Sequence, residues 1–539
     1  MELDGNVLLL YSWWRRTAAG FCPQESGVKN MGSVTDRELE LKLELTPKEL
    51  QRIAGHPGLD LLTVGKPETH TLRSIYFDSP AHQLRAQGIS LRLRSRDGGE
   101  WVQTIKAGDA VINGISHRKE LETSIATPEL DLESIGDRKV RRKIEHVART
   151  SSLAPLFETV VQRTTRKLHS ENGDLELALD EGVVRAGKEE APVCEAELEL
   201  KAGSPISLLE TAATLFASGP CRFGHSSKAE RGYNLVLGRH DEGIVPQRAV
   251  HPTLGGDESC AEALSLFARS ANTQIVANRR VVLDTDDPEG AHELRIGLRR
   301  LRSVLRAFRP LNDTSALREM EGYAQELART VGRLRDADVL MEDIYAPIAG
   351  KMKGEPGFPE LRDGLVAYRA KIRDEVRQAL SSEQWSKLQL YLALWPYTIA
   401  EHKSLQTPVR DFAASALSKD WKKVAKLGAA IDSLSLEQRH EMRKALKKFR
   451  YNAEYFASLY AESKVARFVR GLKKLQAIFG YINDVANAKQ LNAITHECCQ
   501  EAQRAAGYVL GWHDAEATHR WSAAPQEWLR LKKCSRFWN

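Results

Sequence analysis

The chain has 539 residues, of which 42% are hydrophobic and 28% charged, with 37 Gly, 20 Pro and a formal net charge of +6. This composition lies near the globular mean and excludes disordered, collagen-like and membrane classes, and at roughly one domain per 150 residues the length requires more than one core. Seven cysteines without a CxxC pair argue against a disulfide framework or zinc knuckle and for a reducing, cytoplasmic setting, and no run reaches the ~20 apolar residues of a membrane span.

Residues 1–33 stay unassigned: their leader MELDGN is acidic, where a secretion signal carries basic residues. From Val34 to about residue 240 short alternating runs follow one another: ELELKLEL at 38–45, SIYFDS at 74–79, ISLRLRS at 89–95, WVQTIK at 101–106, RKELET at 118–123, VVQRTTRKLHS at 160–170, LELALD at 175–180 and EAELELK at 195–201. Period-two alternation between Gly and Pro breaks predicts strands in an antiparallel meander, with helices expected at 47–55, 142–152 and 206–219. Residues 241–256 are Gly, Pro and charge rich and read as a linker; 257–539 carries helical spacing throughout. Residues 251–539 hold 45 Lys+Arg against 36 Asp+Glu, a balance of +9, which leaves −3 for the first 250, so an anionic partner suits the helical half. That half repeats itself. At an offset of 148, HELRIGLRRLR from His292 aligns with HEMRKALKKFR from His440, and the register persists through Phe308/Phe456, Gly332/Gly480 and Asp336/Asp484. Two copies of one helical unit predict a pseudo-twofold bundle.

In the first strand Glu38, Glu40, Lys42 and Glu44 share one face and the leucines the other; Glu195, Glu197, Glu199 and Lys201 repeat this pattern. Strands between them present Arg92, Arg94, Lys106, Arg118 and Arg163. One reading is the wet face of an ordinary sheet with weak ion pairs. The other is a barrel interior in which divalent cations sit on the carboxylates and a phosphate polyanion on the bases, with helices covering the outward leucines.

The ordered set ELELK, ISLRLR, TIK, RKELE, VQRTTR, ALDEG, CEAELEL and SSKAERGY over about 34–240 resembles the CYTH, or triphosphate tunnel metalloenzyme, family. The resemblance implies a closed eight-stranded antiparallel tunnel with flanking helices. Carried over, Glu38, Glu40, Asp180, Glu195 and Glu197 would hold Mg²⁺ or Mn²⁺, and Lys42, Arg92, Arg94, Lys106, Arg118, Arg163 and Lys228 would hold phosphate, with Glu38, Glu40 and Lys42 central to catalysis. Parity leaves open which of Glu195, Glu197 and Glu199 reaches metal, and whether Arg166 and Arg185 enter the tunnel.

In the helical half His292, Arg295, Arg299, Arg302 and Arg306 form one stripe, mirrored by His440, Arg443, Lys447 and Arg450. A single basic stripe is usually solvated surface; its repetition points to an anion site. With VGRLRDADV at 331–339, these residues resemble the CHAD domain over about 257–539, which implies binding of long-chain polyphosphate. Nucleic acid is the competing polyanion, without an aromatic platform or motif to support it. The expected protein is thus an α+β multidomain chain, a tunnel followed by an all-α bundle. Its expected activity is metal-dependent hydrolysis of tripolyphosphate to pyrophosphate and phosphate. The alternatives are a non-catalytic polyphosphate scaffold and a tunnel enzyme for an organic triphosphate, namely a thiamine triphosphatase or an adenylate cyclase.

Overall fold

The computed structural model describes residues 39–107, 115–116, 119–216, 219, 222–224, 227–238, 244–397, 399, 403–496 and 498–539. Glu38 and Arg118 lie outside the described residues, as does the tail 1–33. Two compact units form: one ends at Ile244 but also takes residues 382–398, and the other comprises 245–381 and 399–539.

The first unit is an antiparallel sheet of β1 (Leu39–Glu44), β2 (Thr63–Asp78), β3 (Ile89–Arg96), β4 (Trp101–Ala107), β5 (Ile115–Ser116), β6 (Lys119–Ile125), β7 (Ala154–Ser170), β8 (Gly173–Ala186), β9 (Glu189–Gly203) and β10 (Arg222–Phe223). The main path runs β1-β9-β8-β7-β2-β3-β4-β6, and β5, just ahead of β6 in the chain, pairs back onto β1. Counting β5 and β6 as one wall, eight strands close a tunnel. β2, β7, β8 and β9 extend well beyond the alternating runs; β2 begins at Thr63 and passes a register shift between Val64 and Glu68, where Gly65 and Pro67 conceal the alternation.

Period two decides what faces where. Leu39, Leu41 and Leu43 of β1 and Leu177, Leu179 and Leu198 of the neighbouring strands point outward into a core with Ile53 of α1 (Pro47–Ala54), Leu59 of α2 (Pro57–Leu62) and Leu208 and Leu215 of α4 (Pro205–Phe216). The helix Glu383–Leu394 completes this core with Leu390, Ala393 and Leu394, and Ser386 Oγ donates to the Gly219 carbonyl at 2.8 Å. On the β3–β4 side α3 (Arg138–Thr150), capped by Asp137, covers Ile89, Leu91 and Ile105 with Ile144 and Val147. Inward positions at one end are apolar: Tyr76, Phe157, Val161, Val184 and Val193 pack on Ala229 and Tyr233 of α5 (Lys228–Val236), which plugs the tunnel there. The plug is tight, since a Cβ at Gly232 would lie 2.1 Å from the Phe157 ring.

The second unit carries the repeat further than the basic motifs. Helices α6 (Cys260–Asp284), α7 (Pro288–Phe308), α8 (Ser315–Val339) and α9 (Phe358–Leu380) return as α10 (Val409–Gly428), α11 (Leu436–Tyr455), α12 (Glu462–Ala488) and α13 (Gln500–Trp521), followed by α14 (Ala524–Lys533). Serine caps open α6 and α11, each with its reciprocal Glu262 or Gln438 bond. Residues 245–256 have no regular structure but are tied down within this unit: Gln247 exchanges hydrogen bonds with the Asn278 amide, and the Leu254 N–H donates to Ser458 Oγ at 2.8 Å.

Candidate active site and anion site

Cross-strand register assembles the tunnel interior. Lys42 lies opposite Glu197, Asp180 opposite Glu195, Arg163 opposite Asp180, Ser90 opposite Lys106 and Lys106 opposite Glu120. The result is a cavity of about 470 Å³ whose walls include Glu40, Lys42, Arg92, Arg94, Lys106, Arg163, Glu197 and Lys228. Asp180 and Glu195 stand just behind, fully buried, and together with Glu197 bring carboxylate oxygens within 4.8 Å of one another. Three hard oxygen donors in that space fit Mg²⁺ or Mn²⁺. Glu199 also lines the cavity, but beside Lys201 at 2.7 Å, one inward position further along β9, opposite Glu40. Arg166 and Arg185 turn away, to the Ala54 carbonyl and to Glu190.

Burial alone would raise the three deep carboxyls. Lys228, aided by Arg163 at Asp180 and by Lys42 at Glu195, brings those two below the usual range; Glu197, against all three cations, lies well below it. Glu40 moves the other way, raised by burial and by Glu197. Arg94 donates to Ser74 Oγ at 3.1 Å, and no carboxylate among the described residues comes within ion-pairing distance; burial, then Arg92 and Arg163, pulls it down to about 10. It is a desolvated cation facing a cavity, the condition under which an arriving anion gains most. Arg92 meets Tyr76 Oη at 3.4 Å and Glu120 at 3.3 Å, and Lys106 meets Glu120 at 2.7 Å.

Glu120 and Glu122 share the face of Arg118 in the alternation, yet only the cavity brings them beside Arg92 and Thr104. Arg231, which contacts Glu195 and lies 3.4 Å from Glu44, escaped sequence reasoning; its position three residues after Lys228 on one helix is the signal that finds it.

In the second unit the stripe residues meet across the repeat. Arg295 pairs with Asp336 at 2.8 Å, and Arg443 is coupled to Asp484, its equivalent 148 residues on. Arg299 is, after burial, the strongest influence lowering both Arg443 and Lys447, so the repeat mates Arg299 and Lys447 stand together. Lys447 is pulled down to about 6. A cavity of about 250 Å³ opens on Arg295, Arg299, Arg302 and Arg329, the last of which the stripe did not include. Arg302 donates to Gln325 at 2.8 Å, Arg306 is taken by Glu321, and Arg450 lies 3.6 Å from Glu454. His292 sits between Glu289 and Glu293, with ligand atoms within 4.8 Å, and Arg335 is the strongest charge acting on it. His440 is exposed, with Lys444 its strongest charged neighbour.

A closed sheet with acids and bases drawn inward is followed by a duplicated helical bundle in which basic side chains of the two copies meet. Residues 36–233 match the CYTH domain and residues 267–493 the CHAD domain. The chain carries a CYTH domain followed by a CHAD domain. It is 31% identical over 207 residues, 38% of this chain and 56% of the relative, to the inorganic triphosphatase of Haemophilus influenzae. The match thus spans little more than half of that relative's length. An uncharacterized protein of Mycobacterium tuberculosis is 24% identical over 428 residues, covering 73% of this chain and 77% of its own. The CHAD domain structure from Ricinus communis aligns at a TM-score of 0.49 and 25% identity over 55% of this chain and 99% of that one. No described helix is long and apolar enough to cross a membrane.

Proposed function

We propose that the tunnel is a metal-dependent inorganic triphosphatase acting on tripolyphosphate and that the helical unit binds long-chain polyphosphate. The carrying observation is a carboxylate trio, Glu197 on the cavity wall with Asp180 and Glu195 just behind it, next to the cavity-lining cations Arg92, Arg94, Lys106 and Arg163, a pairing that simple anion binding does not need. The name of the Haemophilus influenzae relative supports the same reading.

In this reading Asp180, Glu195 and Glu197, with Glu40 and Glu38, hold Mg²⁺ or Mn²⁺, which would polarise the phosphate and its attacking water. Arg92, Arg94, Lys106 and Arg163 fix the non-bridging oxygens. Lys42 and Lys228 neutralise the leaving pyrophosphate as water adds to the terminal phosphorus and the bridging P–O bond breaks. The apolar plug closes the tunnel at the α5 end and bounds the chain length that fits. Phosphate release from tripolyphosphate, ATP and thiamine triphosphate, each with Mg²⁺, Mn²⁺ or chelator, tests the reading. Metal-dependent preference for tripolyphosphate is expected; preference for ATP with a cyclic product overturns it.

A further inference from the structure

The carboxylate trio is already in use. Lys228 Nζ lies 2.7 Å from Asp180 Oδ2, 2.6 Å from Glu195 Oε2 and 2.9 Å from Glu197 Oε1. Lys42 Nζ lies 2.5 Å from the same Glu195 Oε2 and 3.1 Å from Glu197 Oε1. The arginines bind differently: Arg163 takes both oxygens of Asp180, at 2.7 and 2.6 Å, and Arg231 takes Glu195 Oε1. The two oxygens of Glu195 thus have separate partners, a guanidinium on one and two ammoniums sharing the other. A forked arginine bond is fixed in geometry, whereas an ammonium on a four-carbon stem can swing. Both lysines also line the cavity, so their ammoniums can turn from the cage to an anion within it.

Four cationic side chains already occupy the oxygens of these three carboxylates, and they compete with a bare divalent cation for them. Triphosphate oxygens reverse this by giving the ammoniums an alternative partner at the moment the carboxylates are needed.

We propose that Lys42 and Lys228 are exchangeable counter-ions of the carboxylate cage, drawn off by triphosphate, so that metal and triphosphate bind with positive coupling and the free protein holds metal weakly. This rests on the metal-dependent triphosphatase reading. Because coupling is reciprocal, each ligand tightens the other by the same factor.

The test is Mn²⁺ binding to the full-length chain without any phosphate compound, followed by the electron paramagnetic resonance signal of free Mn²⁺. Lys228→Gln is expected to bind Mn²⁺ at least tenfold more tightly than wild type while its tripolyphosphate turnover falls. A lysine that only braces the fold would leave Mn²⁺ affinity unchanged or lower it. Lys42→Gln is the second variant and shifts affinity in the same direction, so poor folding of one variant, read from its thermal melt, does not remove the test. Mn²⁺ affinity unchanged or weaker in the folded lysine variants, but abolished by Glu197→Gln, overturns the exchange and leaves the metal reading standing. Mn²⁺ binding indifferent to Glu197→Gln overturns the metal reading itself.

Discussion

Replacing Leu390 and Leu394 by alanine should destabilise the tunnel, although both residues lie far along the chain within the CHAD match. Each is 1% exposed and packs in one cluster with Leu208, Leu215, Leu177 and Leu198. A buried Leu→Ala change costs about 2–5 kcal/mol. The pair would cost about 4–10 kcal/mol if additive, less where the two truncations share one relaxing cavity. Set against about 5–15 kcal/mol for a whole domain, that removes most of the unit's margin. Hydrogen exchange followed by mass spectrometry on the full-length variant should show loss of protection in β8 and β9, while α7 and α11 keep theirs; tripolyphosphatase activity should fail at lower temperature than in wild type. Unchanged protection of β8 and β9, with loss confined to the helical unit, would refute the assignment of this helix to the tunnel core.

Glu38→Ala and Glu40→Ala should each abolish phosphate release with the circular dichroism spectrum unchanged; retained turnover removes their metal role. Arg295→Glu combined with Arg443→Glu should weaken long-chain polyphosphate binding in a gel shift and spare tripolyphosphate hydrolysis. The pH response of Lys447 has a definite sign. An unfolded lysine keeps its proton to about 10.5, whereas burial, then Arg299, Arg443 and Arg295, lowers this one to about 6 in the fold, so its contribution to stability rises with pH across that window. Urea midpoints should therefore show Lys447→Met more stable than wild type near pH 6, with the gap closing toward pH 9; a constant gap contradicts this.

Alternation in ELELKLEL and EAELELK already separates inward acids and lysines from outward leucines, because a strand has only two faces. Depth is not written there. That Glu195 and Glu197 join Asp180 while Glu199 turns to Lys201 follows from cross-strand register and from where α5 plugs the tunnel. The helical repeat was legible from His292 and His440; α7 returns at that offset and α6 and α8 within one residue of it, whereas α9 and α13 start 142 residues apart, at 358 and 500. The stripe's leading histidine was less so: helical spacing aligns His292 with the arginines, but i−3 and i+1 neighbours place it between two glutamates. Helical spacing is read across 257–539 as a whole and does not single out Glu383–Leu394; the surface that receives this helix is a tertiary fact that spacing does not carry.

The late arrival of that helix sets an order of events during synthesis. The first unit's strands and α5 are made by residue 236, but its outer core stays open until residue 398 has been added. At translation rates of about 5–20 residues per second, the ribosome adds the intervening stretch in roughly 8–30 s. Through that interval the leucines of β1, β8 and β9 lack one of their covers, and this apolar surface closes only when a segment from beyond α9 folds back onto the β-sheet.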